Sequence, residues 1–425
     1  MTRKQPISTF EYQPLDPDQP TAIRILVLSG GCGDIPIESS ILHIDLRAPS
    51  VTVKYEALSY EWKEPSSDDP FILVNSCKFQ IRKNLYDALL QLRLVDEDRY
   101  LWIDALCIDQ TNHLERNRQV QVMQTIYRRA QRVILWLGPA KDDSDLAIEI
   151  LQIMETTRIG ERQIVESTTR NRKAWRAALL AFCQRSYWRR VWIMQEICLG
   201  QEYVVHCGGK SISGNTFDES FKKLTRSRDP GDTWNDILKE TLAVRHITMF
   251  RYWAQRGQLF RLGQCLNICL DSFIATEPRD FVYGIRGIVS DCANDELVPD
   301  YQKSLKHVFF DTVPILRRSS NSSVQVVTKL AKKLGLTEDD DVQLCLSEME
   351  DGNHGVEKSK RTIQKDYPWG MRKRLQRRNR RGIGNGKSGR KDYDWQLDPK
   401  GAEYSDLEDC ESVENSPGEA SGFEE

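Results

Sequence analysis

No apolar run in this 425-residue chain approaches the roughly 18 residues that a membrane-spanning helix requires. The start, Met1-Thr2-Arg3-Lys4-Gln5-Pro6, carries no hydrophobic segment of the secretory kind. A soluble cytoplasmic protein is the default expectation. Net charge is also nearly absent: 60 Lys and Arg against 62 Asp and Glu leave −2, so nothing global points to nucleic acid or a membrane surface. No C-x-x-C pair occurs among 11 scattered cysteines, several of them in apolar segments, such as Cys107, Cys183 and Cys198. They read as free buried thiols, and so do Cys265, Cys269 and Cys207 beside His206. Phosphate loops fail too. After Gly30-Gly31-Cys32-Gly33, Pro36 stands where the last glycine of a dinucleotide loop belongs, and Gly382 to Ser388 lacks both the leading glycine, which is Arg381, and a preceding strand. No resident cofactor or metal is expected.

A hydrophobic content of 40% is enough for a proper core. Mean hydropathy of −0.53 then requires that much of the polarity be concentrated in one part of the chain. The most informative stretch is 101–110, apolar and punctuated by Asp104 and Asp109. An apolar run that stops at an acid is what a buried parallel strand looks like where it leaves its sheet. Behind it Val122, Met123, Ile126, Tyr127 and Ala130 fall three and four apart, which predicts a helix with one apolar face. Residues 133–137 predict the next strand, closed by Gly138-Pro139. Strand, helix and strand in this order are a doubly wound α/β core in miniature.

Around that unit, strands are expected at 23–28, 41–46 and 55–60, a hairpin at 71–81 turning on Asn75-Ser76, and a helix at 84–92. Further helices are expected at 144–154 and 175–183, and a strand at 203–207. Helices at 237–249, 259–270, 279–289 and 305–316 follow, then one at 324–334. The domains expected are a leader at 1–20, an α/β core at 21–210, a helical extension at 211–318 and a mostly disordered charged tail at 319–425. The tail holds a basic block at 372–391 and an acidic run after it. The block offers a nuclear alternative for localisation, but its acidic neighbour makes a solvated arm the preferred reading, and nucleic acid is not an expected partner.

One acid stands out. In a helical reading of 187–200, Glu196 has Trp192, Ile193 and Leu199 as three- and four-residue neighbours, an apolar surround that a carboxylate tolerates only when paired or used. Pairing with Arg189, Arg190 or a distant arginine is one alternative, and a catalytic acid is the other. Ser59, Tyr60 and Trp62 at a strand exit can line a pocket for a ring and a sugar. Asp104 and Asp109 are polar contacts or loop organisers, and Trp192 and Arg279 are further contacts. Arg279, after Glu277-Pro278, reads first as helix-start chemistry and second as an anion holder.

Taken in order, Tyr55-Glu56-Ala57-Leu58-Ser59-Tyr60-Glu61-Trp62, residues 101–110, Glu115-Arg116 and Trp136-Leu137-Gly138 resemble the motifs of the fungal heterokaryon-incompatibility (HET) domain. Trp188-Arg189-Arg190-Val191-Trp192-Ile193-Met194-Gln195-Glu196, Glu277-Pro278-Arg279-Asp280-Phe281-Val282-Tyr283 and Pro299-Asp300-Tyr301 resemble the later ones. The likeness covers residues 21–310. Lys63 departs from it, standing where a glycine usually follows the tryptophan, and so do Glu277 and Phe281. The resemblance implies a TIR-like fold, a mostly parallel doubly wound sheet with helices on both faces. It implies a role in non-self recognition and programmed cell death, with self-association and an incompatibility partner protein. Because some TIR domains hydrolyse NAD at the nicotinamide glycosidic bond, it makes NAD a candidate substrate and Glu196 the catalytic candidate. A non-enzymatic homotypic docking module is the alternative.

Overall fold

In the computed structural model of the chain, the described residues are 8–33, 35–48, 53–156, 172–226, 240–293, 295–318 and 324–354. The chain divides into two units, Met1–Glu350 and Asp351–Glu425. The basic block 372–391, the acidic run after it and the polar stretch at 157–171 lie outside the described residues.

Nine strands form one sheet: β1 (Ala22–Leu28), β2 (Glu38–Asp45), β3 (Glu56–Tyr60), β4 (Phe71–Val74), β5 (Cys77–Gln80), β6 (Arg99–Trp102), β7 (Val133–Trp136), β8 (Tyr203–Cys207) and β9 (Lys210–Ser213). Their order is β5-β4-β2-β1-β6-β3-β7-β8-β9. The centre, β6-β3-β7-β8, is parallel throughout, while β1 and β9 join it antiparallel. Counted within that centre, the chain visits the second, first, third and fourth places, so the winding reverses between β3 and β7. This is the doubly wound order, in which proteins of this architecture as a rule bind ligands beyond the carboxyl ends of the strands.

Along the chain the helices are α1 (Lys83–Leu92), α2 (Asp104–Cys107), α3 (His113–Arg129), α4 (Ser144–Thr156), α5 (Arg172–Cys183), α6 (Ile193–Leu199) and α7 (Gly214–Arg226). After them come α8 (Leu242–Ala254), α9 (Leu262–Ser272), α10 (Asp280–Tyr283), α11 (Leu305–Arg318), α12 (Val324–Lys333) and α13 (Asp340–His354). Alternation along the strands shows which helix covers which face. Trp136 of β7 donates its indole N–H to Asn84 of α1, 3.0 Å away, so α1 lies on one face. Ser59 pairs with Leu135, one residue out of phase with Trp136, and reaches α6 on the other face. Trp102 packs edge-on against Tyr127 of α3 on that same face. The helix α3 is started by Asn112, whose Oδ1 accepts the Glu115 N–H at 3.2 Å. It is held down by buried Val122, Met123, Ile126 and Tyr127, each contributing about 1.5–3 kcal/mol by leaving water.

Several expectations need correction. The apolar stretch from 101 yields a strand only to Trp102; Asp104, whose carboxylate accepts the Ala105 N–H at 2.7 Å, opens the helical turn α2 instead. A single helix does not span 187–200. A 3₁₀ turn at Ser186–Arg189 comes first, Arg190 pairs as an isolated bridge with Ile274, and only then does α6 begin. Nor does one helix span 279–289: α10 is a single turn, followed by a 3₁₀ turn at Arg286–Ile288. Both of the glycines in this stretch sit at close approaches to neighbouring groups. A Cβ on Gly284 would lie 2.8 Å from the Asp280 carbonyl, and one on Gly287 would lie 2.6 Å from the Gln195 side chain. Strand β9 and helix α13 are not anticipated by the sequence pattern at all. The hairpin is as expected, with Asn75 and Ser76 both left-handed at φ 51° and 65°, the geometry of a two-residue turn matched to strand twist.

Candidate functional site

Two strand ends and one helix bring a set of polar side chains together inside the fold. Ser59, next to last in β3, lies 2.6 Å from the Tyr187 hydroxyl and donates to Oε2 of Glu196. Arg190 places Nη1 3.5 Å from the same carboxylate oxygen. Glu196 itself is only 2% exposed. Beside it, at the end of β6, sits half-buried Asp104, and the indole N–H of Trp62 lies 3.1 Å from both of its oxygens. Trp62 is 44% exposed and forms the outer cover of the group, whereas Tyr60 is buried in the sheet.

The Arg190 charge acts on both carboxylates, although its ion pair is with Glu196. Burial pushes the Asp104 carboxyl up to about 6, Glu196 adds to the rise, and Arg190 and the Trp62 indole oppose it. For Arg190, burial works against the charge but is outweighed by Glu196, Tyr187 and Asp104, so its proton is held more firmly than usual. Burial, then Glu196, raises Tyr187 well beyond any working pH, so its hydroxyl stays neutral and able to donate. Among the described residues no group of three or more His, Cys, Asp or Glu could hold a metal ion, and no helix is long and apolar enough to cross a membrane.

The raised Asp104 has a consequence for stability. A folded pKa above the unfolded value means that this group favours folding at low pH, and that this contribution is lost as pH rises through about 6. Asp104→Asn, which keeps an acceptor for Trp62 without the charge, should stabilise the chain by about 2 kcal/mol at pH 7.5 and leave it unchanged near pH 4. Urea unfolding at the two pH values checks both limits.

The other predicted contacts lie elsewhere. Asp109 accepts the Thr111 N–H and hydroxyl at 3.0 and 2.6 Å and so organises the entry to α3. Trp192 stands at the start of α6 against Gly284 and Asp280. Arg279 donates to Glu277 at 2.6 Å and, through Nε and Nη2, to the Lys303 carbonyl at 2.8 and 2.7 Å. Its polar contacts staple the segment around α10 and are not made to Glu196.

Sequence reasoning missed Tyr187, which stands between Arg185-Ser186 and Trp188-Arg189-Arg190 with nothing in that run to single it out as a site residue. It also missed the hold that later elements have on α6. Arg251 of α8 donates to the carbonyls of Ile197, Gly200 and Gln201 at 2.5, 2.9 and 3.0 Å, a cation at the helix carboxyl end. The Gly287 N–H donates to the Gln195 side chain at 3.1 Å, and Val191 and Arg189 pair with the Ile274 backbone. A Cβ on Gly200 would lie 2.5 Å from Val133, so the helix end rests directly on β7. The residues after 240 are the clamp that sets where Glu196 sits.

These features define a doubly wound α/β protein with a buried carboxylate cluster at its parallel strand ends. Residues 55–196, from the first residue of the Tyr55 motif to Glu196, match the family model described as "Heterokaryon incompatibility protein (HET)". It is 24% identical over 342 residues to "Heterokaryon incompatibility protein 6, OR allele" of Neurospora crassa, covering 66% of this chain and 49% of that protein. The chain thus spans about half the length of the curated relative it matches. No solved structure matches it.

Proposed function

We propose that this chain is an effector of fungal heterokaryon incompatibility whose HET domain hydrolyses NAD at the nicotinamide N-glycosidic bond. In this reading it acts after self-association or contact with an incompatibility partner. The observation that carries the reading is the Glu196 carboxylate, fixed by Ser59 and Arg190 beside strand ends of doubly wound order. That order also supports the TIR-like comparison. Breaking the ribosyl–nicotinamide bond leaves positive charge on the ribose while nicotinamide departs neutral, so no general acid is required. A fixed carboxylate offsets that charge. Water then adds at the anomeric carbon and releases a proton, giving ADP-ribose. Glu196 takes the catalytic role, and Ser59, Tyr60, Trp62 and Asp104 line the pocket.

A second reading is favoured by the enclosure of Glu196 in its ion pair: a docking module that pairs with like domains and catalyses nothing. The deciding assay is nicotinamide release from NAD by the purified protein and by Glu196→Gln, at concentrations that permit self-association. Release by the wild type and none by the folded variant is the expected result. No release from either, with the oligomer present, selects the docking module.

A further inference from the structure

A buried carboxylate under an exposed tryptophan raises the question of how anything reaches it. The chain leaving β3 runs Glu61-Trp62-Lys63-Glu64-Pro65 across the strand ends, and its two margins are fixed. On one side the Glu61 carbonyl accepts from Asn84 Nδ2 at 2.8 Å, and Asn84 is itself held by Trp136. On the other, the buried Asp69 carboxylate takes the N–H groups of Ser66 and Lys83 at 3.0 and 3.1 Å and pairs with Arg82. Between these anchors no backbone group of residues 62–65 makes a hydrogen bond to a described residue. Side chains alone hold the strap down. Trp62 binds Asp104. Glu61 Oε2 accepts from Lys63 Nζ at 2.6 Å and from Ser186 Oγ at 2.7 Å, with Lys63 also 3.3 Å from Ser186.

The geometry points to residues 62–65 as a lid closed over the Asp104–Glu196 carboxylates, latched by Glu61, Lys63 and Ser186, whose opening admits ligand. The latch ties the β3 exit to the 3₁₀ turn that carries Tyr187 and leads into Arg190, so closing it draws the two walls of the cluster together. Its strength is of the solvent-screened kind, because the Lys63 side chain is 52% exposed and Ser186 is exposed. Bonds of that sort hold a lid shut at rest and yield to modest binding energy from a ligand or a partner. Closure also accounts for a candidate catalytic acid that is almost wholly hidden. The lid regulates the site of the hydrolase reading and rests on that reading only for what it admits.

The test reads the lid without relying on catalysis. Carbodiimide coupling of glycine ethyl ester, followed by peptide mass spectrometry, reports how readily each carboxylate is reached. In the full chain carrying Lys63→Ala and Ser186→Ala together, coupling at Asp104 should rise about fivefold over wild type. Coupling at Glu56, clamped by Arg99 and Arg132 at the opposite strand ends, should not change and serves as the folding reference. Glu61→Gln keeps an acceptor for Ser186 and loses only the ion pair, so it should give a smaller rise, and it decides the matter where the double variant also exposes Glu56. An Asp104 rate that does not move in the folded variants overturns the lid, whatever the activity. Faster labelling together with no nicotinamide release from wild type or variant leaves the lid standing and retires the hydrolase reading. Faster labelling with faster release supports both.

Discussion

Replacing Arg190 by methionine should cost the folded chain about 3–5 kcal/mol at pH 7.5, because it removes the counter-ion of a carboxyl group that is only 2% exposed. Adding Glu196→Gln to the same chain should recover most of that loss. The amide still accepts the Ser59 hydroxyl and needs no counter-ion. A double-mutant cycle by urea unfolding measures the coupling, and additive costs would show that the two groups do not act as a pair. Wild type and the double variant should then be similar in stability, since exchanging a buried pair for neutral groups is often close to neutral. The outcome bears on function. A pair that contributes little net stability yet is buried at the end of a parallel sheet is retained for what its carboxylate does. A pair whose removal unfolds the protein even as a double variant is framework.

The strand–helix–strand unit was legible because its signals are local. Three- and four-residue spacing marks α3, a continuous apolar run marks β7, and Gly138-Pro139 ends it. Glu196 was legible for a similar reason, since an acid among Trp192, Ile193 and Leu199 is costly unless something nearby answers it. What answers it was less so. Arg190 is six residues away in sequence, and whether it reaches Glu196 depends on the break between the 3₁₀ turn and α6, which is imposed by pairing with Ile274 more than eighty positions later. Long-range pairing of this kind leaves no period in the sequence. The one-turn helix α10 was hidden in the same way: residues 279–289 have helical spacing, but the helix stops at Tyr283 and a 3₁₀ turn follows at Arg286–Ile288, where the Gly287 N–H is taken by the Gln195 side chain 92 positions away. Arg279 has the chemistry to hold an anion, yet three of its donors go to Glu277 and Lys303. A sequence shows what a side chain is able to bind, and only the fold shows which partner is nearest.

Arg24 is the sharpest case of an unexpected residue, and removing it should be as damaging as removing Arg190. It lies in β1 between Ile23 and Ile25, in a stretch that reads as plain apolar strand, and is fully buried. Its guanidinium donates to both oxygens of Glu115 at 2.5 and 3.0 Å, to the Cys107 carbonyl at 3.1 Å and to the Gln13 carbonyl at 2.7 Å, with the Tyr12 ring centre 4.8 Å away. Glu115 in turn accepts the Asp109 N–H at 2.7 Å. One cation thus ties the N-terminal arm, the end of α2 and the first turn of α3 to the sheet, and α2 is the turn that begins with Asp104. Arg24→Met should destabilise by about 3–5 kcal/mol, leaving Glu115 unpaired and the Cys107 and Gln13 carbonyls short of a donor. Hydrogen exchange should separate this effect from that of Arg190→Met. The amides of 104–115 should lose protection in the Arg24 variant while those of 193–199 keep theirs, because α6 is clamped independently by Arg251 and Gly287. Loss of protection in both segments at once would mean that the loop bearing Asp104 and the helix bearing Glu196 open as one unit. The two carboxylates would then be coupled through the fold as well as through Arg190.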